Sequence, residues 1–314
     1  MLRRILVAAT LALPLASPAL AQQRPIRLVV PFPPGGTVDL LGRLAARELE
    51  SGLGQPVVVE NRPGAGGMIG SDSVAKSAPD GLNLVVSNIA AHGVGAAVMR
   101  AMPYDPLRDF THIGLIAAVP TALGVSLSGR FATLAQFLDA GRQPPGVRVG
   151  SSGNGTTGHA KTEMLARAAH VQILHVPYRG AAPAVLDVIA GQTEGVMAAV
   201  ADIGRNDRLR LLAISSAERA GRWPDVPTFE ELGFPALIAN NWFGLSGPAG
   251  MDPAVAGRIN AALVTGLNTP AMAERLAQLG TTPNRMTPAD YTALIAAELP
   301  RWARVVREAN ITAE

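Results

Sequence analysis

Two loops rich in glycine and hydroxyl residues carry the clearest signal for chemistry in this sequence. Each follows a short β-branched run, and an amphipathic helical pattern begins where each loop ends. The first loop reads Phe32-Pro33-Pro34-Gly35-Gly36-Thr37-Val38-Asp39, and the second reads Ser151-Ser152-Gly153-Asn154-Gly155-Thr156-Thr157. The N-terminus of a helix carries unpaired N–H groups and about half a positive charge, so it attracts an anion. The pair of loops therefore predicts two domains that grip one acidic ligand between them.

The residue types in both loops suit binding by backbone dipoles. Glycine lets the backbone approach a ligand closely, and the threonines and Asn154 offer hydroxyl or amide donors. Neither loop contains lysine or arginine, so an anion would be held by dipoles rather than by an ion pair. The alternative is that both loops are only tight turns with helix caps.

Further candidate binding residues follow other predicted strands. They are Ala65, Gly66, Ser87, Asn88, His92, Tyr178 and Arg179. We expect the first two to line the same cleft. The serine, the asparagine and the histidine either select the far end of the ligand or simply cap a helix. Arg179 is either the partner of a second carboxylate or a solvated surface charge.

Enzyme signatures are weak in this chain. Gly153, Gly155 and Gly158 form a G-x-G-x-x-G between a strand and a helix, the fingerprint of dinucleotide-dependent oxidoreductases. However, the motif lies mid-chain, and the next strand ends at Pro177-Tyr178-Arg179 without a ribose-binding acid. The sequence has no G-x-S-x-G, no H-x-x-x-H and no cysteine. We predict no catalytic residue, no metal and no cofactor, with an enzyme assembled from distant residues as an alternative.

The N-terminus has the pattern of a secretory signal peptide. Arg3 and Arg4 precede an apolar stretch at 5–16, and an A-x-A site ends at Ala21. A membrane anchor is disfavoured because a span needs about 20 apolar residues and Pro14 and Pro18 interrupt the apolar residues before Ala21. We predict that residues 1–21 are removed and that the protein is periplasmic.

Charge and composition limit the partners of the exported chain. The sequence contains 27 basic and 24 acidic residues, and removal of Arg3 and Arg4 leaves it nearly neutral. This balance argues against a nucleic-acid or membrane-surface role. Because there is no cysteine, a packed core must supply the stability, and the length is ample for two domains.

The elements that must position the loops alternate between short β-rich runs and helical stretches. This pattern favours an α/β fold with mainly parallel sheets. Strands are predicted at 27–31, 57–60, 82–86, 113–125, 147–150, 173–176, 195–200 and 209–215, and C-terminal helices near 253–267, 270–279 and 288–309. The helix after the first loop should bury Leu41, Leu44, Ala45 and Leu49, and the helix after the second should bury Ala160, Met164 and Ala168.

Two segments are predicted to cross between domains. The run at 113–128 is too long and apolar for a strand of one small sheet. The proline-rich stretch at 223–235, followed by 241–246, is predicted to be the return crossing. Domain 1 would then be discontinuous, with residues 22–120 plus 236–314, and domain 2 would comprise residues 121–235.

Motifs along the whole mature chain resemble the tripartite tricarboxylate transporter receptors, also called the Bug (Bordetella uptake gene) family. They are PIRLVVPFPPGG at 25–36, QPVVVENRPGAGG at 55–67, YDPLRDF at 104–110, SSGNGT at 151–156, HVPYRG at 175–180, WPDVPT at 223–228 and WARVV at 302–306. The resemblance implies a type II periplasmic binding protein-like fold, in which two doubly wound α/β domains joined by two crossings close on a ligand. It also implies that the loops at 32–39 and 151–157 hold a ligand carboxylate, largely through backbone groups and ordered water.

The function expected from the resemblance is that of an exported receptor. It would capture a small organic carboxylate and deliver it to a tripartite tricarboxylate-type membrane transporter, acting as a monomer. A ligand sensor that presents its closed form to a membrane signalling protein is the alternative.

One departure from the family pattern concerns the second domain. Family members commonly carry an acidic residue shortly after the segment that reads Gly191-Gln192-Thr193-Glu194 in this chain. Here Ala198 and Ala199 follow, and the next acid is Asp202. The expected cleft group is therefore either missing or replaced by Asp202. This disfavours an amino-acid ligand, whose ammonium would require that acid, and favours a plain carboxylate.

Overall fold

The strands form one sheet through the described part of the chain. In the computed structural model, that part comprises residues 24–99, 101–308 and 311, so the predicted signal peptide lies outside it. The strands are β1 (Ile26–Val30), β2 (Val57–Asn61), β3 (Asn83–Asn88), β4 (Phe110–Ser126), β5 (Val147–Ser151), β6 (Ile173–Pro177), β7 (Gly195–Ala199), β8 (Leu209–Ile214) and β9 (Asn240–Pro248). Their order is β2-β1-β3-β9-β4-β7-β5-β6, with β8 also paired to β4.

Pairing in the sheet is mixed rather than mainly parallel. The parallel pairs expected for alternating strands and helices are present between β1 and β2, β1 and β3, β5 and β6, and β5 and β7. The two strands between these groups, β4 and β9, pair antiparallel with every neighbour. The fold is thus a mixed α/β fold in which two parallel groups flank an antiparallel centre.

The long strand β4 connects the two groups. Its first part, from Phe110 to Pro120, pairs with β9. Its second part, from Thr121 to Ser126, pairs with β7 and β8. We call β1, β2, β3 and β9 with the start of β4 the first sheet half, and β5 to β8 with the end of β4 the second. The predicted domain bounds, 22–120 plus 236–314 and 121–235, stay a prediction.

The predicted return crossing, 223–235 followed by 241–246, leads from β8 into β9, and its second part lies within β9. This strand is buried along almost its entire length, from Asn241 to Pro248. A strand buried on both faces has a continuous apolar run rather than an alternating pattern, so its sequence did not predict a strand. Its antiparallel partners β3 and β4 are distant in sequence and give no local signal.

Ten α-helices are found in the described residues. They are α1 (Thr37–Leu53), α2 (Met68–Ala75), α3 (Gly95–Val98), α4 (Leu134–Gly141), α5 (Thr157–Ala169), α6 (Ala181–Ile189), α7 (Val200–Ile203), α8 (Pro253–Leu267), α9 (Pro270–Ala277) and α10 (Pro288–Glu308). A π-helical turn, Ala90–Val94, precedes α3. No helix among the described residues is long and apolar enough to cross a membrane.

Two helix faces test the periodicity argument. Helix α1 buries Leu41, Leu44, Ala45 and Leu49, which confirms the prediction. Helix α5 buries the predicted Ala160 together with Lys161 and Leu165, but Met164 is only half-buried and Ala168 is exposed. The prediction for α5 is thus confirmed for Ala160 and wrong for Ala168. Lys161 is buried as well, because its ammonium finds acceptors inside the protein.

Candidate functional site

A small cavity lies where the N-termini of three helices meet between the two sheet halves. It has a volume of about 60 Å³. For comparison, one water needs about 10–15 Å³ of such space. We call it the inner cavity. Its lining includes Gly36 and Thr37 of α1, Thr156 to Gly158 of α5, and Gly180 to Ala182 of α6. Three N-terminal dipoles are thus directed at one small space, which favours negative charge there.

The remaining walls of the inner cavity are mostly apolar. They are formed by Phe32, Pro33, Pro34, Val38, Ile89, Ala90, Pro183, Ala198, Ala199 and Phe243, with Asn88, Ser152, Asp202 and Asn241 as further polar residues. No lysine or arginine lines it. An anion in this cavity would therefore be held by backbone dipoles and neutral polar side chains, as the composition of the two loops predicts.

At the α1 end of the cavity, the N-terminus already has an acidic partner. Asp202 Oδ1 accepts hydrogen bonds from Thr37 N at 2.6 Å and from Thr37 Oγ1 at 2.7 Å. The aspartate belongs to α7 on the second sheet half, so the contact joins the two halves across the cavity. Burial raises the pKa of this carboxyl, although the bonds from Thr37 and the nearby charge of Arg205 act in the opposite direction.

At the α5 end, the loop is organised mainly by its own residues. Thr156 caps the helix, its hydroxyl oxygen accepting from His159 N, and its own hydroxyl donates to Gly153 O at 2.7 Å. The Thr157 hydroxyl donates to Asn241 Oδ1 on β9. The N–H groups of Thr157 and Gly158, in the first helical turn, have no acceptor among the described residues. They are the donors that remain for a ligand.

A buried lysine holds α5 in place. Lys161 Nζ donates to Thr121 Oγ1 at 3.0 Å, to Ser215 Oγ at 2.7 Å and to Ala239 O at 2.5 Å. Its three acceptors lie on β4, just after β8 and just before β9. The side chain is fully buried, and burial lowers its pKa well below the ordinary value. The helix that carries the free N–H groups is thereby tied to both connections between the sheet halves.

A larger chamber opens outward from the inner cavity. It has a volume of about 700 Å³ and shares Phe32, Pro33, Ser152 and Gly180 with the inner cavity. We call it the outer chamber. Six predicted site residues line it in addition to the shared ones: Ala65, Gly66, Gly153, Asn154, Tyr178 and Arg179. Arg179 is exposed there and brings a positive charge to the outer end of the site.

The predicted site residues thus divide into three groups. Phe32, Pro34, Gly36, Thr37, Asn88, Ser152, Thr156, Thr157 and Asp202 line the inner cavity. The six named above line only the outer chamber. The others, Gly35, Asp39, Ser87, Ser151, Gly155 and His92, line neither space.

Asp39 and Ser151 support the loops from behind instead. Asp39 accepts from Gly35 N, Arg43 and Asn61. Burial acts to raise its pKa, but these hydrogen bonds outweigh that effect and lower it. Ser151 is fully buried, with its Oγ 2.6 Å from His175 Nε2. This serine–histidine pair faces neither cavity, so it presents no nucleophile to a substrate.

Ser87 and His92 belong to the core. Ser87 Oγ lies 2.9 Å from the Tyr291 hydroxyl, and neither residue is exposed. His92 packs against Tyr104, Phe110 and His112, and burial lowers its pKa to about 3. The sequence suggested ligand contacts because both were expected to follow a strand that ends at 86. Ser87 instead lies within β3, and His92 lies in the π-helical turn, where it is buried.

Sequence reasoning missed the third helix N-terminus and the contribution of β9. Ala181 and Ala182 of α6 carry no polar side chain, so only the strand–glycine–helix order around Gly180 could have indicated them. Asn241 and Phe243 lie in the segment that was predicted to be a crossing. In the described residues, no group of three or more histidine, aspartate or glutamate side chains could hold a metal ion.

The family of this chain follows from comparison with known proteins. Residues 41–311 match the model of the tripartite tricarboxylate transporter family receptor. The chain belongs to this family. One relative, Protein BugT of Bordetella pertussis, is 39% identical over 290 residues, which cover 91% of this chain and 89% of that protein.

Two solved structures of relatives contain carboxylates. One is R. palustris Rpa4515 with adipate, 32% identical with a TM-score of 0.88, covering 92% of this chain and 98% of that chain. The other is MatC (Rpa3494) from Rhodopseudomonas palustris with bound malate, 30% identical with a TM-score of 0.84, covering 90% and 99%. This receptor shares the periplasmic binding protein-like fold of its relatives.

Proposed function

We propose that this receptor binds a small organic carboxylate in the inner cavity and performs no chemistry on it. The observation that carries the proposal is the convergence of three helix N-termini on a cavity without a basic side chain. Such a site neutralises an anion with fixed dipoles, and no histidine or lysine in its lining could activate its serine and threonine hydroxyls. The adipate and malate in the structures of relatives support the same ligand class.

The ligand would stabilise a closed arrangement of the protein. A carboxylate at the N-termini of α5 and α6 touches the second sheet half, and the rest of the ligand touches Phe32, Asn88 and Phe243 of the first. A ligand that contacts both halves only when they are together shifts the population towards that state. From the family and the N-terminal sequence, we also propose that the protein is exported to the periplasm and acts there as a monomer. It would deliver its ligand to a tripartite tricarboxylate-type transporter.

The test is a thermal-shift screen of the protein expressed with its own N-terminus and recovered from the periplasm. The panel contains mono-, di- and tricarboxylates, aromatic acids, amino acids and NAD(P). A ligand at a hundred times its dissociation constant stabilises the folded state by about 2.7 kcal/mol, which raises Tm by about 5 °C. A shift with one class of carboxylate is the expected result. A shift with NAD(P) alone would contradict it in favour of a dinucleotide enzyme.

A matched pair of variants locates the site. Gly36 has φ −84°, and a Cβ added there would meet only Asp202 Oδ1 at 3.8 Å, so Gly36→Leu fills the inner cavity without backbone strain. We expect binding to be lost while Tm without ligand stays near that of the wild type. Gly257→Leu places the same side chain on α8, where no atom lies within 4 Å of the added Cβ. This variant should bind the carboxylate as the wild type does. Gly155 is unsuitable for this test because its φ of +73° favours glycine.

A further inference from the structure

The N-terminus of α1 is occupied by a carboxylate from the protein itself. Asp202 Oδ1 takes both donors of Thr37, its N–H at 2.6 Å and its hydroxyl at 2.7 Å. Among the described residues, only Thr37 donates to this carboxylate. An ordinary ligand carboxylate bound at a helix N-terminus would use donors of this kind. Asp202 therefore occupies the N-terminus of α1, the position at which the first loop was predicted to bind the ligand.

The charge of Asp202 acts on the whole inner cavity. Asp202 lines the cavity and no lysine or arginine does, so no basic side chain in the lining compensates it. The positive charge of Arg205 acts on Asp202, but the Nε–H of this arginine donates to Ala201 O at 2.6 Å rather than to the carboxylate. Asp39, the other acid of the α1 N-terminus, is bound to Arg43 and Asn61. A second negative group beside Asp202 would be repelled in a partly desolvated space whose lining contains no basic side chain.

We propose that Asp202 is a specificity-determining residue, a tethered carboxylate that fills the α1 anion site and limits the inner cavity to one ligand carboxylate. The inference rests on the proposed carboxylate receptor function and deepens it. The ligand carboxylate is left to the N-termini of α5 and α6, where Thr157 N and Gly158 N have no acceptor among the described residues. The part of the ligand that faces α1 is uncharged.

A second carboxylate on the ligand is then directed outward. The inner cavity continues into the outer chamber past Phe32, Ser152 and Gly180, and Arg179 lines that chamber. A long dicarboxylate can place its second charge there, whereas a short one keeps both charges near Asp202. The receptor therefore discriminates against short dicarboxylates relative to monocarboxylates of the same length.

The experiment compares succinate with butyrate, two four-carbon acids that differ by one carboxylate. Calorimetric titrations of the wild type and Asp202→Asn give the ratio of succinate affinity to butyrate affinity for each protein. We expect the ratio to rise about tenfold in the variant, the order expected when one unit charge near a carboxylate is removed. Asp139→Asn, which removes an exposed acid of α4 that pairs with Arg142, should leave the ratio unchanged.

Each outcome supports or overturns the proposal. Asp202→Ala repeats the measurement with the side chain removed, and thermal unfolding shows whether each variant is folded. An unchanged ratio in both variants, or a loss of affinity for both acids, overturns the role of Asp202 while leaving the receptor function in place. If neither the wild type nor the variants bind any carboxylate, the proposed function fails and this inference with it.

Discussion

The close packing of Gly158 against β7 allows a sharp test of how α5 is positioned. A Cβ added to Gly158 would lie 2.1 Å from Met197 O and 3.0 Å from Ser151 Cβ. Carbon atoms in contact ordinarily lie about 3.5–4.0 Å apart. Gly158→Ala therefore requires α5 or the strand to move by about 1 Å. Met197 cannot move freely, because its strand pairs with both β4 and β5.

The expected cost of Gly158→Ala is about 2–3 kcal/mol of unfolding free energy. Overpacking of this kind costs about 1–3 kcal/mol, and more where backbone rather than a side chain must shift. The gain of alanine over glycine in a helix, at most about 1 kcal/mol, offsets part of it. The shift also moves the free N–H groups of Thr157 and Gly158, so carboxylate affinity should fall as well.

The control uses the same substitution where there is space. Nothing lies within 4 Å of a Cβ added to Gly257 in α8. Gly257→Ala should therefore stabilise the protein by about 0.5–1 kcal/mol, the ordinary helix-propensity gain. Urea unfolding with equal m-values measures both changes. If Gly158→Ala unfolded at the same urea concentration as the wild type, close helix–strand packing would not explain this glycine.

Two further predictions concern buried ionisable groups. Lys161→Met should lower the unfolding free energy by about 2–3 kcal/mol, because the Thr121 hydroxyl and the Ala239 carbonyl lose the ammonium donor. Urea unfolding measures this change. If the variant were as stable as the wild type, the desolvation cost of the buried ammonium would equal the stabilisation from its hydrogen bonds. Burial lowers the pKa of His92 to about 3 and that of His112 to about 4, so the unfolded chain binds protons that the folded protein rejects. Stability should therefore fall as the pH drops below 6.5, by about 2 kcal/mol per histidine at pH 5. Urea midpoints at pH 7 and pH 5 check this, and equal midpoints would contradict it.

Local sequence was sufficient for the elements whose signal is contained in one short stretch. The predicted strand at 57–60 is β2, Val57–Asn61, and that at 147–150 is β5, Val147–Ser151. Each is a β-branched run bounded by glycine, proline or polar residues, and strand formation there needs no distant information. The apolar stripe of α1 is equally local, because residues three and four apart share one helix face.

Elements whose partners are distant could not be predicted in the same way. The antiparallel place of β9 between β3 and β4 depends on residues more than a hundred positions away. The burial of Lys161 depends on acceptors from three separate segments. Without those acceptors a lysine belongs on the surface, so local sequence gave no reason to expect Lys161 in the core.

The chemistry proposed for the candidate site could be predicted from local sequence, whereas the groups that supply it were set by the fold. Glycine loops at strand ends, threonine donors and the absence of lysine and arginine are local properties, so they indicated dipolar anion binding before any contact was known. Only folding brought Asp202 to Thr37, 165 positions away in the chain, and added the N-terminus of α6. The reason is physical: a helix dipole is built from its own few residues, but which charge meets it depends on how the two sheet halves pack.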